Sequence, residues 1–186
     1  MPFLGEWRAE RQRRRHAALY VQALLAEPAP SDARWLADAA AGGDLDHAAW
    51  ELRYARRALG LLGAQRDALD DRTASLVAHA LEASFASDPR IDPDKREVAA
   101  RQFNVRLGSY REALAARGSR EGTSARLARM LLAYAGRVAP PEGDLARAGE
   151  LLGTYLAEAN EALRRQFGVA VLPEHLPPSA AQGTGD

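Results

Sequence analysis

The stretch "DLDHAAWELRYARRALGLL", residues 44–62, predicts a helix that is apolar on two sides. At about 100° per residue, one side carries a stripe of leucines and alanines, which are Leu45, Ala48, Ala49, Leu52, Ala55, Leu59 and Leu62. A second stripe, nearly opposite, carries Trp50, Tyr54 and Leu61. Arg53 and Arg57 border this second stripe, within reach of its rings for cation–π contacts. Such a helix lies either at the centre of its domain or beneath a partner.

Both explanations of this helix stay open from the sequence. The helix that follows Pro93 is also two-faced, because Phe103 and Tyr110 lie on one face and Val98 and Val105 lie near the other. A central pair made of these two helices would account for both apolar faces. The alternative is a partner or dimer surface built on Trp50, Tyr54, Arg53 and Arg57, since Trp, Tyr and Arg are enriched at interface hot spots.

Helix signals continue on both sides of this stretch, and no alternating strand pattern is convincing. Apolar periodicity with proline and glycine breaks predicts seven helices, at about residues 6–25, 32–41, 44–69, 71–86, 93–117, 124–135 and 144–167. Asp44, Asp92 and Asp144 are predicted to cap three of them. We expect an all-α, single-domain bundle of six or seven mostly antiparallel helices with a flexible C-terminal tail. The expected divisions are a basic N-terminal arm or helix extension (1–16), the helical bundle (17–168) and a Pro/Gly-rich, partly disordered tail (169–186).

Composition excludes several classes of function. The chain of 186 residues has a formal net charge of zero, which argues against nucleic-acid binding through an overall positive field. It has no cysteine, so disulfides, thiolate nucleophiles and cysteine-type zinc sites are excluded. No apolar run of about 18 residues and no secretory signal pattern are present, so we expect a cytoplasmic protein of bacterial type without a membrane span.

A run of arginines near the N-terminus is the main electrostatic feature of the sequence. It comprises Arg8, Arg11, Arg13, Arg14 and Arg15, preceded by Trp7. The run is either a solvated helix extension or a surface for an acidic partner or for phosphates, with Arg11, Arg14 and Arg15 as the candidate binding residues. It lacks the interleaved aromatic residues of a nucleic-acid groove, so nucleic-acid binding through this arm is an alternative function.

The sequence shows no arrangement of residues that indicates catalysis. It has no nucleophile elbow, no triad spacing and no phosphate-binding glycine loop, so we expect no enzyme activity and no cofactor. His47 with Glu51 and His79 with Glu82 are close pairs on predicted helices, and a metal site built from these four residues is a further alternative. The order of each pair is the reverse of the Glu-x-x-His order in di-iron bundles.

Two segments resemble helical chaperone families. "DHAAWEL", residues 46–52, resembles the Asp-His…Glu-Leu segment of the twin-arginine-signal-binding chaperones, which are all-helical and free of cofactors. "FNVRLGSYREAL", residues 103–114, is similar to part of the helical cytochrome-assembly chaperones. Each likeness covers about one helix and assigns no role to any residue. The function expected from the residues themselves is a non-enzymatic interaction module, such as an adaptor, assembly factor or structural subunit, that binds another protein or a second copy.

Overall fold

The computed structural model describes residues 3–67, 71–116 and 121–168, with side chains from Gly5 onward. This part of the chain forms seven α-helices and no strand, so the all-α prediction is confirmed. The helices are α1 (Phe3–Leu24), α2 (Pro30–Ala39), α3 (Leu45–Asp67), α4 (Asp71–Ser87), α5 (Arg96–Ala115), α6 (Thr123–Ala135) and α7 (Glu142–Phe167). A short 3₁₀ helix, Pro93–Lys95, precedes α5. The predicted C-terminal tail lies outside the described residues.

Helix α3 is the centre of the bundle. It contacts each of the other six α-helices. Of its 23 residues, 13 are buried, among them Leu52, Leu59 and Leu62 of the first apolar stripe and Tyr54 and Leu61 of the second. Both stripes therefore contact other helices of this chain, which explains why the sequence of α3 is apolar on two sides.

The contact of α1 with α3 is unusually close because α3 has a glycine at the crossing. A Cβ atom placed on Gly60 would collide with the side chain of Leu24. The hydroxyl of Tyr20 donates a hydrogen bond to the Gly60 carbonyl at 2.8 Å, and Tyr20 is fully buried. Gly60 therefore allows the close packing of α1 on α3.

Helix α5 lies at the edge of the bundle, so the prediction that it shares the centre with α3 is wrong. It contacts α3, α4, α6 and the 3₁₀ helix, and it buries Phe103 and Tyr110. Val98 and Val105 on its other side are 46% and 55% exposed. Helix α5 packs on the bundle through the face that carries Phe103 and Tyr110. Val98 and Val105 face away from the other described helices.

The predicted helix caps are partly right. The backbone N–H of His47 donates to Asp44 Oδ1 at 2.9 Å, which confirms Asp44 as the cap of α3. Asp92 precedes the 3₁₀ helix without a capping hydrogen bond from its side chain. The prediction for Asp144 is wrong, because the backbone N–H groups of Asp144 and Leu145 already bond to the carbonyl of Pro141, where α7 begins.

Candidate protein-interaction surface

Arg57 lies at the buried end of an ion network that joins α3 to two loops. Its Nη2 donates to Asp88 Oδ2 at 3.0 Å, and both side chains are almost completely buried. Asp88 also accepts from Arg90 Nε and Nη2 at 2.8 Å each. Arg90 pairs in turn with Glu27, which accepts two hydrogen bonds from Arg53. We call these five residues the Arg57 network. It fastens the α1–α2 loop and the segment after α4 to the middle of α3.

The Arg57 network carries one more positive than negative charge, since three arginines meet two carboxylates. Burial lowers the pKa of Arg57, and the hydrogen bond and charge of Asp88 act in the opposite direction. Burial also lowers the pKa of Arg53. Nε and Nη1 of Arg57 have no hydrogen-bond partner, and its guanidinium lies 4.8 Å from the centre of the Phe85 ring. Asp88 is therefore the group that makes the buried charge of Arg57 tolerable.

A second buried ion pair joins the first half of α3 to α5. Glu51 is 2% exposed and accepts from Arg106 Nε at 2.9 Å and Nη2 at 2.5 Å. The guanidinium of Arg106 lies 5.2 Å from the ring centre of Tyr54 and 4.6 Å from that of Tyr134. Burial lowers the pKa of Arg106, but the two-point bond to Glu51 outweighs it, so the pKa is raised overall. This pair leaves no free carboxylate at Glu51.

Tyr54 and Arg57 are core residues, which corrects the surface predicted from the sequence. Tyr54 is 3% exposed, and its ring lies 6.4 Å from the rings of both Phe85 and Phe103. Its hydroxyl donates to Gln102 Oε1 at 3.3 Å, and burial raises its pKa. Helices α4 and α5 cover this part of α3, so neither Tyr54 nor Arg57 is accessible to a partner.

Trp50 and Arg53 stay at the surface. Trp50 is partly buried, and its ring lies 5.6 Å from that of Tyr54 beneath it. The guanidinium of Arg53 lies 4.7 Å from the centre of the indole, as expected for side chains three positions apart on one helix. Glu27 holds Arg53 at 2.7 Å. We call these residues, Trp50, Arg53 and Glu27, the Trp50 surface.

None of the three tryptophans in the chain belongs to the buried core. Trp35 is partly buried and has the guanidinium of Arg147 4.7 Å from its ring. Trp7 is 59% exposed and has the guanidinium of Arg11 5.6 Å from its ring. Trp7 is therefore exposed, Trp35 and Trp50 lie partly exposed against the core, and each of the three has an arginine over its ring. The pairing of Trp35 with Arg147 joins α2 to α7, and no local sequence signal could have indicated it.

Comparisons of this chain with protein families, curated proteins and solved structures find no match. The two resemblances to helical chaperones thus have no support beyond the residues that carry them. Any function has to be argued from the surfaces of the molecule.

The arginine arm is the first half of α1. Residues 5–15 are exposed apart from Glu10, and burial begins at Ala17. Arg14 donates to Glu10 at 3.1 Å, and Arg72 of α4 pairs with the same carboxylate at 2.7 Å. Arg11 and Arg15 make no ion pair with the described part of the chain. Of the three candidate binding residues on the arm, Arg14 is thus engaged within the molecule, and the other two face solvent.

The four candidate metal ligands do not come together. His47 Nε2 donates to the Tyr134 carbonyl at 3.1 Å, and Glu51 is held by Arg106. His79 and Glu82 are 80% and 84% exposed on α4, with Nδ1 of His79 3.9 Å from Oε2 of Glu82. Across residues 3–67, 71–116 and 121–168, no three His, Asp or Glu side chains form a group that could hold a metal ion.

A cleft between α4 and α5 is a feature that sequence reasoning missed. It has a volume of about 590 Å³ and is lined on its apolar side by Leu61, Ala78, Leu81, Phe85, Phe103 and Leu107. Arg96 and Glu97 stand at its rim. The cleft exists because α4 and α5 both pack on α3 and approach each other only loosely, which the pattern of either helix alone does not reveal.

Within the described ranges, no helix combines the length and the apolar character that crossing a membrane requires. The longest of these helices is α7, with 26 residues, and charged side chains occur along its whole length.

Proposed function

We propose that the chain is a non-enzymatic protein-interaction module that binds another protein, or a second copy of itself, through the Trp50 surface. The observation that carries this proposal is that none of the three tryptophans is fully buried, and that each has an arginine over its ring. A single-chain protein gains most from its largest apolar side chains when they lie in the core. Trp and Arg at the surface are instead the residue types that dominate interface energies. The proposal also assigns the chain to a bacterial cytoplasm. Its role there would be that of an adaptor, an assembly factor or a structural subunit.

The Trp50 surface suits this role better than the other two tryptophan sites because its side chains are already held in place. Arg53 is fixed between the indole and Glu27, and Trp50 rests on the buried ring of Tyr54. A partner therefore meets groups that lose little conformational freedom on binding. Arg147 over Trp35 has no carboxylate partner in the described chain, and Trp7 lies on the projecting part of α1.

The experiment compares Trp50→Ala with the matched control Trp35→Ala, since both remove a partly buried indole with an arginine over it. Self-association is measured by light scattering over a concentration series, and partner capture by affinity purification with mass spectrometry. We expect Trp50→Ala to weaken the complex by about 30-fold or more, as for a hot-spot residue worth ≥2 kcal/mol. Trp35→Ala should change it by less than about threefold, and both should keep wild-type helicity by circular dichroism.

Two outcomes contradict the proposal. Equal association and equal capture for wild type and Trp50→Ala would show that the Trp50 surface binds neither a second copy nor the captured protein. A loss of helicity in Trp50→Ala alone would show that Trp50 belongs to the core and is not available to a partner.

A further inference from the structure

One face of the first half of α1 carries positive charge without any nearby carboxylate. Trp7, Arg8, Arg11 and Arg15 lie within about 100° of one another around the helix. Together with Gln12 they form a continuous exposed surface on α1. We call these four residues and Gln12 the arm face. None of its three arginines makes an ion pair with the described residues, so all three charges are available to a ligand.

The two carboxylates of this segment lie elsewhere on the helix. Glu10 points towards the bundle, where it binds Arg14 and Arg72. Glu6 is exposed on the far side from the arm face. The core residues of α1, such as Tyr20 and Leu24, also lie on the side away from the arm face. The carboxylates and the three arginines therefore lie on different sides of α1, and the positively charged side faces away from the bundle.

Apolar side chains stand at both ends of the arm face. Trp7 is 59% exposed at one end, and Leu19 is 45% exposed one turn beyond Arg15. Arg11 lies over the ring of Trp7, which positions the arginine and the indole together. Three arginines between two exposed apolar groups match a ligand that has carboxylates in its middle and apolar side chains on either side.

We propose that the arm face binds an acidic segment of a partner protein. Arg8 and Arg15 are about 10 Å apart along the helix axis, a span that a second helix covers with glutamates at i, i+4 and i+7. A nucleic acid fits less well, because attraction to its backbone grows with the number of phosphates neutralised and the arm face offers three arginines on a neutral chain. The proposal rests on the protein-interaction role but uses a surface separate from the Trp50 surface.

The test uses the full chain and a synthetic helical peptide with glutamates at i, i+4 and i+7 and a leucine at each end of that face. Binding is measured by isothermal titration calorimetry at ~50 mM and ~200 mM salt. A single-stranded oligonucleotide of equal charge and a glutamine version of the peptide are the competing probes. Arg11→Ala/Arg15→Ala is compared with Arg13→Ala/Arg14→Ala, which removes the same charge from the same helix, since Arg13 lies across the helix from the arm face and Arg14 is already paired with Glu10.

We expect the glutamate peptide to bind and Arg11→Ala/Arg15→Ala to weaken it by about tenfold or more. The control pair should weaken it by less than about threefold, and Trp7→Ala should also reduce the affinity. Equal losses in the two arginine pairs would show unspecific attraction to a basic helix and overturn the proposal. Tighter binding of the oligonucleotide, or no binding of the peptide at the lower salt, would overturn it as well. Because the Trp50 surface is untouched, these results are independent of the test of the protein-interaction role.

Discussion

At the scale of single residues, Asp88 has the largest consequence for stability. It accepts four hydrogen bonds, one from Arg57 and three from the backbone and side chain of Arg90. Its carboxylate is the only negative group bonded to the buried guanidinium of Arg57 in the described chain. Removing its charge leaves the charge of Arg57 in place and without compensation.

We therefore expect Asp88→Asn to lower the free energy of unfolding by about 3–5 kcal/mol, measured by urea denaturation followed by circular dichroism. The matched control is Glu97→Gln, which makes the same change in the exposed pair with Arg101 and should cost less than about 0.5 kcal/mol. Similar losses for the two variants would mean that the burial of Arg57 depends on other groups.

What the sequence can reveal at this scale depends on distance along the chain. The contact of Arg53 with Trp50 was predictable because helical spacing places the two side chains together. The contact of Arg57 with Asp88 was not, since 31 residues separate them and the second residue lies in a loop. The burial of Tyr54 and Arg57 could not be predicted either, because a stripe of aromatic residues bordered by arginines fits a core and an interface equally well.

At the scale of helices, the crossing of α1 and α3 depends on the missing side chain of Gly60. Gly60→Ala places a Cβ against the side chain of Leu24, which is 2% exposed. We expect the unfolding free energy to fall by about 1–3 kcal/mol because the core is overpacked at this point.

The control for this variant is Gly108→Ala in α5, where no atom lies within 4 Å of the added Cβ. It should raise the unfolding free energy by about 0.5–1 kcal/mol, since alanine is the better helix former. Thermal unfolding followed by circular dichroism measures both variants, and a stabilising effect of Gly60→Ala would show that α1 can shift without cost.

The number and order of the helices followed from the sequence because proline or glycine ends each helical pattern except the third, where Asp70 and Asp71 mark the start of the next helix. The arrangement of these helices in the bundle did not follow from the sequence. The patterns of α3 and α5 are both two-faced, yet α3 contacts all six other α-helices and α5 exposes Val98 and Val105. Which of two similar helices becomes central depends on the packing of all the others, and periodicity within one helix does not contain that information.

At the scale of the whole molecule, buried tyrosines make the free energy of unfolding decrease at high pH. Burial raises the pKa of Tyr155 from 10.0 to about 12, and it raises the pKa of Tyr20 and Tyr110 as well. A raised pKa in the folded state means that the unfolded chain loses its protons first as the pH increases. The stabilisation is complete below pH 10 and is lost as the pH rises towards the pKa of the folded state.

We expect urea denaturation at increasing pH to show a constant unfolding free energy up to about pH 9 and a steady decrease above about pH 10. Tyr155→Phe should reduce that decrease by about 2–3 kcal/mol, because it removes one of the titrating groups. Tyr155→Phe keeps the aromatic ring that contacts the guanidinium of Arg56, so this variant costs little at neutral pH. An unchanged alkaline decrease in Tyr155→Phe would contradict the assignment.

The surface position of the tryptophans also determines what the intrinsic fluorescence of this protein reports. Tyrosine, leucine and phenylalanine fill the core, and the indoles lie where they already meet solvent and a neighbouring guanidinium. Part of the tryptophan emission of the folded state therefore comes from indoles in contact with solvent, and unfolding shifts that part less than it shifts the emission of a core indole. A partner that covers these indoles therefore changes the tryptophan emission without any unfolding of the chain.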